Sequence, residues 1–192
     1  CPMHNWVFYP EKGSYSNGVK KNSLLFREDE DNIYIKSNKS YPAISSTKKK
    51  LSVDITFFNH AFLNVKSKNI SFVTDPWALG PAFNTGWWLK KNTRNDWLKV
   101  VNECYFIYIS HNHPDHLHPI TLKEINKNKL IITPKFKSRS VSKLLKDLKF
   151  KNILELDFDQ EYCWDKSELI FSIFKSGDFR EDSGIYFSIG EF

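Results

Sequence analysis

Along the chain, apolar and polar residues fall into two rhythms. From Leu51 onward, "VDITFF", "AFLNVK" and "ISFVT" read as three strands, the last ending at Asp75-Pro76. "CYFIYIS" is a near-continuous apolar run that closes at Ser110, the pattern of a strand covered on both faces. "LIIT", "ILEL", "LIFSIF" and "GIYFSI" are further strands. "PITLKEIN" suits a short helix with Pro119 in its first turn. In "SRSVSKLLKDLK", Val141, Leu144, Leu145 and Leu148 fall at i, i+3, i+4 and i+7, so one helical face is apolar. Strands and helices mixed in this way predict an α/β layered domain, and there are no internal repeats. Residues 1–39 differ in texture. "NWVFYP", a turn-rich "EKGSYSNG", then "SLLF", "REDEDN" and "IYIK" read as short strands and turns, the last three as strand, charged turn, strand. "SYPAISSTKKK", between about Ser40 and Lys50, reads as a linker, and a domain boundary is expected between residues 45 and 46.

With 192 residues and 41% hydrophobic content, the chain can bury a core of its own. Its net charge of +6 comes mostly from lysine and would suit an acidic partner such as a nucleotide, an anionic sugar or a membrane surface. The lysines are spread along the chain, however, and solvated faces explain them more simply. No arginine-rich stripe with interleaved aromatics is present, so a nucleic-acid partner is not expected. Three cysteines, Cys1, Cys104 and Cys163, do not make a disulfide framework, and the latter two sit beside apolar residues and read as buried thiols. No apolar run reaches the length of about 18 residues that a membrane-spanning helix needs. No signal peptide is visible, and a reducing cytoplasm is the default location.

Candidate chemistry concentrates at "SHNHPDHLH", which holds four of the chain's six histidines. A buried strand ends at Ile109 and ligand-type residues begin at once, where α/β sheets place their functional loops. In an extended loop His111 and His113 project to one side, so both imidazoles can reach one ion at about 2.0–2.1 Å. Asp115 and His116, beyond Pro114, can face a second ion or orient a metal-bound water. A histidine-rich surface loop is the competing explanation, and the H-x-H-x-D-H order directly after an apolar strand argues against it. His118 lies beyond the motif and reads as a helix-start residue or one that supports the ligands from behind.

"HNHPDH" is the H-x-H-x-D-H motif of the metallo-β-lactamase superfamily. "DPWALGPAFNTGWW", "NDWL" and "FIYISHNHPDHLHPITLKEI" resemble the lactamase-like domain of the CMP-N-acetylneuraminate hydroxylase family, and "ITFFNHAFLNV" resembles the strand–"HA"–strand entry of that family and of its lactonase and phospholipase-D-like relatives. The resemblance implies a metallo-β-lactamase-like αββα sandwich, incomplete in this chain. It implies His111 and His113 as ligands of a first metal site and Asp115 and His116 as ligands of a second, with iron or zinc bound. It places His60 and Asp75 beside the centre and points to Asp115 and His60 for catalysis. A core role for His60 and a strand-end turn role for Asp75 stand as alternatives. Trp77, Phe83, Trp87 and Trp88 could wall a pocket, though aromatic core is the expected role of at least two.

The same family carries a Rieske domain ahead of the lactamase-like one. "CPMHNWVFYPEKGSYSNG" resembles its second half, with Cys1 and His4 as two of the four ligands of a [2Fe–2S] cluster, Trp6 packing beneath and Gly13 and Gly18 in turns. Half a zinc site is the competing reading of C-x2-H. Residues 1–45 are thus expected to be the C-terminal half of an all-β Rieske domain and residues 46–192 the first two-thirds of the metallo-β-lactamase-fold domain. No C-x-H pair precedes Cys1 and no histidine follows His118, so the chain is expected to be a fragment cut at both ends. Asp178 or Asp182 could supply an oxygen ligand, although surface-turn aspartates are the commoner explanation. The family implies an oxidoreductase fed by an electron-donor protein, which hydroxylates the N-acetyl methyl of an anionic sugar nucleotide. A metallo-hydrolase acting on lactones or phosphodiesters, and a redox or binding module with a degenerate metal site, remain as rivals.

Overall fold

The computed structural model describes residues 53–68, 70–164, 169–176 and 180–189, and four short strands nearer the N-terminus. The chain divides into two compact units, Cys1–Lys48 and Lys49–Phe192. In the first, β1 (Phe8–Tyr9) pairs antiparallel with β2 (Ser14–Tyr15), and β3 (Phe26–Glu28) with β4 (Ile33–Ile35). Arg27 and Glu28, expected in the charged turn, are strand residues opposite Tyr34 and Ile33. Cys1 and His4 lie outside the described residues, as do Trp6, Gly13 and Gly18.

The second unit is built on a six-stranded sheet of order β10-β9-β8-β7-β6-β5. Its strands are β5 (Asp54–Asn59), β6 (Phe62–Lys66), β7 (Ser71–Thr74), β8 (Phe106–Tyr108), β9 (Leu130–Pro134) and β10 (Asn152–Leu156). β7 to β10 run parallel, and β5–β6 is an antiparallel hairpin joined to β7. Three strands, β11 (Glu161–Cys163), β12 (Leu169–Lys175) and β13 (Ser183–Ile189), form a separate antiparallel sheet.

Alternation along the parallel strands splits the core in two. Val73, Ile107 and Ile131 face one side and pack with α1 (Trp97–Glu103), α2 (Pro119–Glu124) and α3 (Ser140–Asp147) through Trp97, Val101, Leu122, Val141 and Leu145. Phe72, Phe106, Tyr108 and Ile132 face the other side and meet Leu169, Phe171, Ile173 and Ile189 of the small sheet. Phe72 stacks on Phe106 with centroids 4.9 Å apart. Each such fully buried apolar side chain contributes about 1.5–3 kcal/mol. Helices, large sheet and small sheet are three layers of the metallo-β-lactamase-like αββα sandwich. Among the described residues no helix covers the outer face of the small sheet, where Ile170, Phe174 and Tyr186 are exposed.

The expected helices and the strands from β5 onward are present, but α1 and β11 were not anticipated. Cys104 is buried, and burial, the largest influence, pushes its thiol up to about 11. Cys163 is exposed, contrary to expectation. β11 is an edge strand that turns Tyr162 toward Phe171, and the next side chain in a strand must point away.

Candidate metal centre

Four chain segments meet at the carboxyl edge of the parallel strands, where α/β sheets leave a crevice. β5 runs parallel to β7, so the β5–β6 turn also reaches this edge. A register shift between Phe57 and Asn59 bends the strand before that turn, and His60 follows with φ 48°. Asp75, directly after β7, is also left-handed, with φ 37°. The loop after β8 supplies Ser110 to His118, and the entry to β13 supplies Asp182 and Ser183. The Ser183 hydroxyl donates to the Ser110 carbonyl at 2.6 Å and accepts from the Tyr108 phenol at 2.7 Å, which ties the small sheet to this edge. Burial, the largest influence, drives the Tyr108 pKa far upward, so the phenol keeps its proton.

Asp75 is the hub. One carboxylate oxygen accepts the Ser110 backbone N–H at 2.7 Å. The other accepts the Ser110 hydroxyl at 2.6 Å and His116 Nδ1–H at 2.8 Å. Because Nδ1 of His116 carries the proton toward Asp75, Nε2 turns toward Asp115, 3.6 Å from its Oδ2. Burial, the largest single influence, lowers the His116 pKa, but the Asp75 hydrogen bond and the charges of Asp75, Asp115 and Asp182 together outweigh it and hold the value above that of free imidazole. His111 Nδ1 lies 2.9 Å from the Ser110 hydroxyl and 3.2 Å from Asp182 Oδ1, which leaves Nε2 facing His113 Nδ1 at 2.9 Å. Burial, reinforced by charge on His116, pushes the His111 pKa down to about 4, so the ring is neutral and ready to ligate.

Asp115 sits between His60 and His116 and is only 4% exposed. Its Oδ2 accepts His60 Nε2–H at 2.8 Å. Burial pushes the carboxyl up, yet the His60 hydrogen bond and charge on His116 hold it below the ordinary carboxylate range. Its Oδ1 is buried and has no hydrogen-bond partner. One ligand atom from each of His60, Asp115 and His116 lies within 4.8 Å of the others. Ligand bonds of about 2.0–2.2 Å bring such atoms to separations of roughly 4 Å or less, so only small adjustments separate the three from a shared ion. An orphaned buried oxygen in an imidazole-lined corner fits a cation.

Among the described residues of the second unit, the structure thus brings together the candidate ligands His60, Asp75, His111, His113, Asp115 and His116, in a grouping slightly different from the expected one. His111 pairs with His113, while Asp115 and His116 are joined by His60. Asp182, which the sequence left as a turn residue, contacts His111; its only advance signal was a polar loop between two strands. Asp178 lies outside the described residues. His118 is the N-cap of α2. Its Nδ1 accepts from the Thr121 N–H at 3.2 Å and from the Thr121 hydroxyl at 2.9 Å, and its Nε2–H donates to the Pro81 carbonyl at 3.1 Å. Of the four aromatics, Trp77 alone is core, packed edge-to-face with His60 at a centroid separation of 5.6 Å. Phe83 and Trp87 are half-buried, facing His113 at 6.2 Å and His60 at 6.4 Å, and Trp88 is 67% exposed. Two core aromatics were expected. The left-handed run Phe83–Asn84–Thr85 lifts the segment off the core and leaves Trp88 bonded only to the Thr85 carbonyl, at 3.0 Å.

No family profile matches the chain. It is 34% identical over 135 residues to the cytidine monophosphate-N-acetylneuraminic acid hydroxylase of Macaca mulatta, covering 65% of this chain and 23% of the relative. The Mus musculus protein of the same name is 34% identical over 139 residues, covering 67% and 24%, and the Xenopus laevis protein 32% identical over 139 residues, covering 67% and 24%. The chain therefore spans about a quarter of the length of these relatives. Among solved structures, a possible metal-dependent hydrolase from Veillonella parvula aligns with a TM-score of 0.54 at 16% identity, over 74% of this chain and 60% of that one. CmlA, a diiron β-hydroxylase from Streptomyces venezuelae, aligns with a TM-score of 0.52 at 17% identity, over 76% and 28%. Both likenesses are of fold.

Proposed function

We propose that this chain carries the metal-binding domain of an iron-dependent hydroxylase acting on a sugar nucleotide of the CMP-N-acetylneuraminate kind. The observation that carries the metal reading is the Asp115 carboxylate, ionised, buried, and left with one oxygen unpartnered between two histidines. Similarity to proteins named as hydroxylases favours oxygenation over hydrolysis. His60, Asp115 and His116 would hold one ion, and His111 with His113 a second. Iron held there would supply oxygen-activating redox chemistry.

The chain's own residues do the rest. Asp75 fixes the His116 tautomer and Ser110 the loop root, so two imidazoles present lone pairs with little freedom to rotate. Before an ion is bound, His60 holds a proton at Nε2 on Asp115 and against Trp77, and would give it up on ligating the ion, the proton-handling role proposed for this pair in catalysis. Trp77, Phe83 and Trp87 shield one side of the ligands from water. Cys1 and His4 would give half the ligands of a Rieske [2Fe–2S] cluster, charged by an electron-donor protein. Residues 1–45 would belong to that domain and 46–192 to the catalytic one.

The test is metal analysis of the intact polypeptide with product analysis under oxygen and a reductant. The expected outcome is bound iron and oxygen-dependent hydroxylation of CMP-N-acetylneuraminate. Zinc alone, with turnover of a lactone or phosphodiester, would replace this reading with the hydrolase one.

A further inference from the structure

Ser110 is the point where the two halves of the metal centre meet, and its backbone is pinned from opposite sides. The N–H donates to Asp75 Oδ1, just past β7, at 2.7 Å, and the carbonyl accepts the hydroxyl of Ser183, at the start of β13, at 2.6 Å. The residue is only 5% exposed. Its hydroxyl oxygen is therefore held in place, 2.6 Å from Asp75 Oδ2, 2.9 Å from His111 Nδ1 and 3.3 Å from His116 Nδ1.

A hydroxyl has one hydrogen to give and lone pairs to receive with. Asp75 makes the shortest of the three approaches, and a bond to a charged acceptor is the stronger kind, so the hydrogen goes to Asp75. Only lone pairs are left for His111, and Nδ1 of that ring must carry its hydrogen. A second arrangement exists on paper. His111 could hold its hydrogen on Nε2 and give it to His113 Nδ1 at 2.9 Å, with the Ser110 hydroxyl turned onto His111 Nδ1. That would exchange a short bond to a carboxylate for a longer one to a neutral ring, and would leave Asp75 Oδ2 one donor short. Asp182 weighs the same way. Its Oδ1, held by the Ser183 N–H at 2.7 Å, stands 3.2 Å from His111 Nδ1, and negative charge there favours a hydrogen on that nitrogen.

We propose that the Ser110 hydroxyl is a positioning group of the metal centre: by giving its hydrogen to Asp75 it forces the hydrogen of His111 onto Nδ1 and clears Nε2 as a lone pair. The assignment rests, for what that lone pair then binds, on the metal reading above. It is separate from the part the Ser110 backbone plays at the loop root, because Ser110→Ala removes the hydroxyl and keeps both backbone bonds. The same hydroxyl also stands behind His116, but there Asp75 takes the Nδ1–H directly, at 2.8 Å. Loss of the hydroxyl should thus release one ring and not the other.

Nitrogen-15 NMR of the metal-free chain, at a pH where both rings are neutral, reads which nitrogen of each ring carries the hydrogen. Chelator competition reads zinc affinity, and circular dichroism confirms equal folding. In the parent chain both His111 and His116 carry the hydrogen on Nδ1. Ser110→Ala moves part of the His111 population to Nε2–H, since Asp182 still faces Nδ1, and Ser110→Ala with Asp182→Asn moves most of it. His116 keeps its Nδ1–H in both. Zinc affinity falls by about tenfold or more in the double variant and by less in the single one. Ser110→Thr, which keeps the hydroxyl, behaves as the parent. A His111 ring that stays Nδ1–H in the double variant overturns the proposal, and so does a zinc affinity within about twofold of the parent's. If the parent takes up no metal while the rings respond as stated, the metal reading falls and the Ser110 assignment stands. If metal binds stoichiometrically and His111 keeps its Nδ1–H in every variant, the assignment falls and the metal reading stands.

Discussion

His116 and His118 lie two positions apart in polar clusters of opposite kinds. Around His118 every polar atom is used. Its two nitrogens serve Thr121 and Pro81, and the Thr121 hydroxyl in turn accepts the N–H groups of Ala78 and Leu79 at 2.9 and 3.1 Å. Burial lowers the His118 pKa, in keeping with a neutral ring that clamps the 78–81 segment to α2. Around His116 the network stops short. Asp75 and Ser110 are satisfied, but Asp115 keeps a buried oxygen without a donor, and Nε2 of His116 faces that carboxylate at 3.6 Å while Nε2 of His111 faces His113. A closed cluster is a fastener. A cluster with an ionised, unfinished edge is built for something that arrives.

The largest effect that would break this contrast comes from Asp115. Asp115→Ala should reduce bound metal to background at a smaller cost to the metal-free fold than His118→Ala, because one of its two buried oxygens has no partner to lose. Metal content and thermal melting, measured on one preparation, check both halves. His118→Ala should do the reverse. It leaves the Thr121 N–H and the Pro81 carbonyl unpaired and opens a void, at about 2–4 kcal/mol of folding stability, with metal retained by the folded fraction. Denaturant titration reads that loss. Asp75→Asn is intermediate: it loosens His116 and should weaken metal binding by about 10–100-fold, measured by chelator competition.

The smallest effect is one of pH. Metal and proton compete for Nε2 of His116, whose pKa the Asp75 hydrogen bond raises in spite of burial. His111, down at about 4, is already neutral, and Asp115 is already ionised. Metal affinity should therefore be level above the raised His116 pKa and fall by about tenfold per pH unit below it. Calorimetry in buffers of different ionisation enthalpy should show proton release on metal binding growing as the pH falls through that range.

Much of this was legible in the sequence, and the gaps have physical causes. The strands announced themselves because the central sheet is covered on both faces, and α3 because its apolar face repeats at helical spacing. α1 did not, since Val100 and Val101 sit mid-helix and suit a strand equally well. β11, three residues long, has too little pattern to register. Within the site, the ligand-type residues of one loop were visible as a motif. His60 beside the centre was reached only through the resemblance, and Asp182 only as one of two possible oxygen ligands, because each contact joins positions far apart in the chain through sheet order alone.

The central claim is that the unfinished corner is a metal centre. Elemental analysis of the purified polypeptide, compared with His111→Ala/His113→Ala and Asp115→Ala forms of equal circular dichroism, tests it most directly. The account predicts stoichiometric transition metal in the parent protein and a sharp loss in both variants. A parent protein without stoichiometric metal after reconstitution with iron or zinc, or variants that retain its full metal content, would contradict it.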